Sequence, residues 1–576
     1  MHQPRDRESI PYINEGGTVN PELNNLADEF WEYFLETNPL TAHLNGDYRY
    51  MDKVEDASRA AEDADIRTYR RIATQAAAID PETLDAADKV TRETLIYEAG
   101  ATADIAETRQ AEFGIDPIFG PQAAFQVLIP QLTVETAEHA ERMLDKYRGV
   151  AVMIDQLSDR LREGIASGRV NARFAVDKTV AAIDSMLAIP IEDDTFLKAQ
   201  MPESFSDEDT DTWRASAAVI VKDDIRPAFL RYRDVIRDEV GPIARSDDEA
   251  GLTFLPDGDL VYSRLIAKYT TLPLQAGEIH QIGLQQIDRL AEEYREIAGP
   301  IVGTTDLAQI FTALREDPVL HHTSGTDVIA QCEEAFAAAK AEMPNWFGRL
   351  PKSDCFVQET SHGAVAFYFA PAEDGSREGT FFMNTADPSS WATYEVQSTA
   401  FHEGIPGHHL QVAIAQELGE SVPAFQRNGF ISAYGEGWAL YTERLADEMG
   451  LYSSELDRVG MLSADSMRAC RLVVDTGMHA LGWSRQQGID YMAENSPMTM
   501  HSIVEEIDRY LSNPGQAVSY MIGRLEIQRM RAEATLAMGD AFDIKGFHDA
   551  VLGSGLVTLP TLDRIVREWA ASTQAR

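Results

Sequence analysis

From about Pro21 to Leu350 the chain reads as a succession of helix-length segments whose apolar residues recur three or four positions apart, as Ile287, Leu290, Tyr294 and Ile297 do. Proline-containing breaks at residues 117–121 and at Pro190, Pro202, Pro256 and Pro273, with an acidic loop at residues 206–209, read as turns between helices and not as domain linkers. The absence of a fixed-period repeat or low-complexity tract argues against a solenoid. The pattern changes over residues 364–369 and 379–384, which are rich in aromatic and β-preferring side chains, with the turn-forming Asp374, Gly375 and Ser376 between them. A small β element is predicted there. Helical periodicity returns from Tyr394 and continues, with breaks near Gly450, Pro497 and Pro514, to the end. The predicted fold is therefore mainly α with a minor sheet. Residues 1–20 form a polar extension, 21–350 a helical region and 351–576 a region holding the β element and the chemistry, the last two joined as one continuous two-lobed unit.

Charge and cysteine usage narrow the function. The 576 residues carry a formal net charge of -44, and only ten of the fifty basic residues are lysine. Nucleic acid and an anionic membrane would both repel such a surface, so neither is expected as a partner. Cys332, Cys355 and Cys470 are too scattered for a disulfide framework or a thiolate zinc cluster, and they fit a reducing compartment. No stretch approaches eighteen uninterrupted apolar residues and the N-terminus lacks a signal-like apolar core, which makes the cytoplasm the expected location. The sequence leaves the oligomeric state open, a homodimer included.

Three of the thirteen histidines fall within eight residues, in the run from Phe401 through His402, Glu403, Gly404, Ile405, Pro406, Gly407, His408 and His409 to Gln411. The common zinc-peptidase arrangement H-E-x-x-H puts two imidazoles one helical turn apart on one ion and a glutamate beside the attacking water. Here Pro406 occupies the fifth position. On a straight helix His408 would stand roughly 120° from the face of His402, and His409 about 10 Å further along. Pro406, however, cannot donate the backbone bond that would return to His402, and Gly404 and Gly407 weaken the same turn. A bulge after Glu403 is therefore predicted, one that absorbs two residues and brings His408 back to the metal. A third protein ligand is needed, leaving one position for water.

Further candidates lie towards the C-terminus. Tyr520 and Arg524 share one helical face, as do Arg471, Asp475 and His479. Asp475 is a candidate to orient a zinc-bound imidazole, and His479 to contact substrate or the developing oxyanion; a buried structural network is the equal alternative for that trio, as a core tyrosine with an ion-paired arginine is for Tyr520 and Arg524. His321, His322 and His362 lack partners at ligand spacing and read as surface or loop residues.

The histidine segment resembles the hallmark of the bacterial domain-of-unknown-function 885 family, H-E-x-x-P-G-H-H-L-Q, and more distantly the glutamate-zincin metallopeptidases. Residues 273–290, 379–385, 434–441 and 514–520 extend the resemblance over most of the chain. It implies a large helical shell around a deep cleft, Zn2+ as cofactor, and His402, His408 and Glu436 as its ligands, with His409 the competing second ligand and Glu443, two turns beyond Glu436, the competing third. Glu403 would then be the general base, Tyr520 the stabiliser of the oxyanion, and Arg524 the group that binds a substrate carboxylate. The same likeness makes residues 379–385 either an edge strand holding substrate by strand addition or a packed interior hairpin, with Asn384 and Gln516 among the substrate contacts. The expected activity is zinc-dependent hydrolysis of short peptides, of the carboxypeptidase or dipeptidase kind. A zinc-dependent amidase for a non-peptide metabolite and a non-catalytic metal-binding protein are the alternatives.

Overall fold

Helices begin where the sequence supplies a cap. The Asn20 side chain accepts the Glu22 and Leu23 N–H groups at the head of Pro21–Thr37, and Ser206 forms a reciprocal box with Asp209 at the head of Asp207–Ile220. The computed structural model describes residues 20–361, 365–372 and 377–574. The polar extension, apart from Asn20, thus lies outside the described residues, as do His362, Ala364 and the Asp374-Gly375-Ser376 turn. The described chain is mainly helical with one small sheet.

A helix over Glu455–Ala480 runs through the interior, buried at every residue from Ala469 to His479, and packs along Ala276–Val302. Beside it, Ser432–Glu448 lies against Ser519–Met538 at very short range. A Cβ on Gly437 would fall 2.5 Å from Gly523 Cα, and one on Gly523 would fall 1.9 Å from the Ala433 carbonyl oxygen, so glycine at both positions permits the approach. This contact brings Glu436 and Tyr520 into one neighbourhood. Asp465, fully buried, takes both Arg444 at 2.5 Å and Arg524, and Arg444 reaches on to Glu293 at 2.6 Å. Four helices are tied together by that one carboxylate and its partners.

The sheet comprises β1 (Cys355–Thr360), β2 (Ala366–Phe369) and β3 (Gly379–Asn384), in the order β1-β3-β2. β3 pairs in parallel with β1, Cys355 opposite Gly379, and antiparallel with β2, Ala366 opposite Met383. Its side chains alternate, Phe381 and Met383 entering the core while Thr380 and Phe382 face outward. The expectation of an edge strand at 379–384 is corrected: β3 is central, its backbone groups are taken up on both sides, and the edges are β1 and β2.

One apolar cluster draws its buried residues only from positions 51–250, whereas others combine residues from both sides of position 350, for instance Val328 and Phe336 with Phe401 and Trp438. The three cysteines are buried and unpaired. Among the described residues, no single helix is long and apolar enough to cross a membrane.

Candidate metal centre

The helix Val396–Glu403 ends at the glutamate, and a new helix, His408–Gln416, starts after four intervening residues. Pro406 has no N–H to return to His402, and a Cβ on Gly407 would lie 1.9 Å from the His402 carbonyl oxygen, so the chain folds tightly onto the turn it has just left. The break is clamped from the helix Ser432–Glu448: Trp438 Nε1 donates to the Pro406 carbonyl at 3.1 Å and Thr442 Oγ1 to the Phe401 carbonyl at 3.1 Å. The bulge expected after Glu403 is thus present as a full interruption.

That fold brings His402, His408 and Glu436 together, one ligand atom from each lying within 4.8 Å of the others. Glu436 Oε2 stands 3.5 Å from His402 Nε2 and 3.3 Å from His408 Nε2, and the two imidazole rings are perpendicular with centroids 4.9 Å apart. Tetrahedral zinc with bonds of about 2.0–2.2 Å would separate neighbouring donors by about 3.3 to 3.5 Å. Both nitrogen–carboxylate separations match that span, and two imidazoles with one carboxylate form a donor set that zinc accepts. The residues fit the ion.

Electrostatics support the same conclusion. Burial acts to lower the pKa of His402, but Glu436 and Glu443 more than offset it and hold the imidazole up at about 9. Glu436 is pushed the other way by burial, yet hydrogen bonds from His402 and His408 keep it well below the usual carboxylate range. The cluster therefore balances its charge with protons on imidazole, and a divalent cation would do the same work by displacing them.

Glu443 accepts from His402 Nδ1 at 2.7 Å and is almost wholly buried. Once the Nε2 proton is displaced, this bond keeps the remaining proton on Nδ1 and leaves Nε2, on the Glu436 side, free to ligate, the arrangement in which a carboxylate orients a ligating imidazole. Of the two acids weighed as further ligand, Glu436 joins the cluster and Glu443 stands behind it. His409 is directed elsewhere, to the Tyr368 hydroxyl at 3.0 Å and the Ser353 carbonyl at 3.1 Å. Glu403 is half-buried at the helix end, and among the described residues no hydrogen bond or ion pair engages its carboxylate.

The remaining candidates divide. The Tyr520 ring stacks on His402 with centroids 6.3 Å apart, and Gln516 Nε2 lies 3.5 Å from the Tyr520 hydroxyl while Gln516 Oε1 accepts from Arg509. Asn384 uses its Oδ1 to accept the Ala386 N–H at the end of β3. Arg524 is a correction: its guanidinium is buried and engaged by Asp465, which removes it as a receptor for a substrate carboxylate. His479 is another, with Nδ1 accepting the Leu252 N–H at 3.1 Å and Nε2 donating to the Tyr510 carbonyl at 3.1 Å. Burial lowers its pKa to about 4, so it is a neutral packing group and not a contact for substrate. Asp475 accepts from the Tyr262 hydroxyl at 2.5 Å and the Gly515 N–H at 3.1 Å, and orients no ligand imidazole.

Two neighbours, Arg468 and Phe430, escaped the sequence reading, and Arg471 was read there only as part of a helical face. Arg468 and Arg471 place guanidinium carbons 5.8 and 4.5 Å from the Tyr520 ring centre, and the half-exposed Phe430 sets its ring 6.4 Å from that of His408. Arg468, three residues before Arg471 at the head of the trio with Asp475 and His479, was within reach of the same helical spacing. Phe430 also lines a partly open cavity of about 1660 Å³ whose walls include Trp31, Phe369, Phe382 and Gln411. The three ligand candidates are not in those walls, and Phe430 is the link between cavity and cluster.

Residues 39–566 match the family described as "Bacterial protein of unknown function (DUF885)". Two solved structures, each named a "putative lipoprotein", are similar over nearly the whole length. The one from Colwellia psychrerythraea is 25% identical at a TM-score of 0.88, covering 96% of this chain and 99% of its own. The one from Shewanella oneidensis is 17% identical at a TM-score of 0.74, covering 95% and 100%, and shows the fold alone. No curated protein sequence matches the chain.

Proposed function

The chain belongs to the DUF885 family, and from its histidine–glutamate cluster we propose that it is a zinc-dependent hydrolase of peptide bonds in short peptides. The observation that carries this reading is the convergence of His402, His408 and Glu436 at ligand spacing directly beside an unengaged Glu403. A zinc ion held there would acidify a water molecule and polarise the scissile carbonyl. Glu403 takes the proton of the attacking water and returns it to the departing amine. Glu443 holds His402 in the tautomer that leaves Nε2 free to ligate. Tyr520, its ring fixed against His402, donates its O–H to the carbonyl oxygen as charge builds there. Substrate approaches by the cavity past Phe430, whose partly enclosed shape favours short, unfolded peptides over folded proteins.

We place the protein in the cytoplasm on its three unpaired cysteines. The name carried by the two structural relatives points instead to the cell envelope, and fractionation of the native host separates the two. For the activity, the zinc-loaded protein and its Glu403→Gln variant are incubated with a peptide library. Cleavage by the parent alone, abolished by a chelator, supports the reading, whereas equal digestion by both or by neither removes it.

A further inference from the structure

In a chain with a formal charge of -44, three guanidinium groups gathered near one tyrosine ring call for a reason. Arg468 and Arg471, three positions apart on the helix Glu455–Ala480, both approach the Tyr520 ring that stacks on His402. Arg509, bonded to Gln516, is a third guanidinium in the same neighbourhood. Two carboxylates pair with them directly among the described residues, and the buried Glu395 and Asp475 act at longer range on Arg468 and Arg509. Glu506 takes Arg471 at 2.7 Å and Arg509 at 3.1 Å. Glu443 stands 3.9 Å from Arg468 and is already the acceptor for His402 Nδ1. Like charges three apart on a helix repel one another, and this pair is largely withdrawn from water.

The donor inventory points the same way. Arg468 Nε and Arg471 Nη1 are buried and have no hydrogen-bond partner among the described residues. A buried charged donor left unpaired is costly, and an anion placed between the two side chains would satisfy both. Arg471 is held rigidly by Tyr510 and Glu506, while Arg468 keeps 13% of its side chain exposed and so borders open space. Arg524, the residue whose spacing suggested this role, is committed to Asp465.

We propose that Arg468 and Arg471 form an anion subsite that binds the free C-terminal carboxylate of a peptide, so that the protein removes residues from the carboxyl end. The inference rests on the zinc-peptidase reading of the adjoining cluster. A planar carboxylate suits the fork of two guanidinium groups, and a peptide amide at the same place would leave those donors partly unmet.

The test uses two N-acetylated peptides identical except for a free carboxylate or an amide at the C-terminus, with the full-length zinc-loaded protein. The parent is expected to prefer the free acid by about 10- to 100-fold in kcat/KM, carried mainly by KM. Arg468→Gln should bring that ratio close to one by raising KM for the acid, with the amide little changed and bound zinc retained. Arg468→Lys, which keeps the charge without the fork, should retain part of the preference and serves as the test should the glutamine variant fail to fold. If Arg468 merely steadied Glu443, both substrates would lose rate together and the ratio would survive, which overturns the proposal. Equal turnover of acid and amide by the parent overturns it as well while sparing the zinc-peptidase reading. Cleavage of neither peptide by the parent defeats that reading and the subsite with it.

Discussion

Two buried clusters of charge lie on neighbouring helices, and they are built on opposite principles. Around Asp465 the positive charges are the permanent ones of Arg444 and Arg524, and burial, which alone would raise the aspartate's pKa, is outweighed by both guanidinium groups. Around Glu436 the positive charge resides on two imidazoles, which carry it only when protonated. The first cluster is closed and needs nothing from solution. The second changes its charge with pH and can exchange its protons for a metal. The lesson is that a buried arginine–carboxylate hub holds the fold, whereas a buried histidine–carboxylate cluster beside a free acid is equipped for chemistry.

Substitutions sharpen that contrast. The largest effect is expected at Glu403, where Glu403→Gln should lower kcat by about 10²- to 10⁴-fold while leaving zinc content and melting temperature near those of the parent; elemental analysis and calorimetry check both. Next, Arg524→Ala should destabilise the fold by about 3–5 kcal/mol, since it leaves a buried carboxylate half-paired. Denaturant titration measures this, and the folded fraction should still bind one zinc. A drop in zinc affinity larger than the loss of stability explains would blur the distinction between the clusters. Third, Glu443→Gln should weaken zinc binding by about 10- to 100-fold, read by competition with a chromogenic chelator.

pH dependence separates the clusters more gently. Because the metal-free His402 is held near 9, above its ordinary value, it carries a proton at neutral pH that an incoming ion must displace. Zinc affinity should therefore rise with pH up to about 9, and calorimetry in buffers of different ionisation enthalpy should register proton release. Asp475 provides a contrast on the helix Glu455–Ala480, which also carries Asp465. Burial raises its pKa from 3.8 to about 7, so the native state binds the proton more tightly than the unfolded chain does. Its contribution to stability is complete below pH 3.8 and declines as pH rises towards 7, and Asp475→Asn should flatten that slope in pH-dependent denaturation without altering zinc binding.

Much of this was legible beforehand, and the remainder was not for identifiable reasons. Pro406 with Gly404 and Gly407 announces a broken helix because each acts on the local backbone, and the structure breaks at Glu403 accordingly. The mainly helical fold follows from apolar spacing in the same local way. Strand order does not, since the composition of residues 379–384 is equally suited to an edge or a central position. β1 was missed because its burial alternates weakly and its sequence, Cys355 to Thr360, lacks the aromatic density of the other two strands. Helical spacing placed Tyr520 and Arg524, and likewise Asp475 and His479, on common faces. Which neighbour each face meets is decided by long-range packing, so Asp465 claimed Arg524, and Leu252 and Tyr510 claimed His479. The role of Glu443 was closer to hand, for a residue two turns from Glu436 on one helix face is well placed to stand behind a ligand imidazole.

The most direct test of the central claim is anomalous diffraction at the zinc edge from crystals of the zinc-loaded protein. A single strong peak within about 2.0–2.2 Å of His402 Nε2, His408 Nε2 and a Glu436 oxygen is the predicted result. No peak at that position, or an ion bound elsewhere with these three side chains turned apart, would contradict the account.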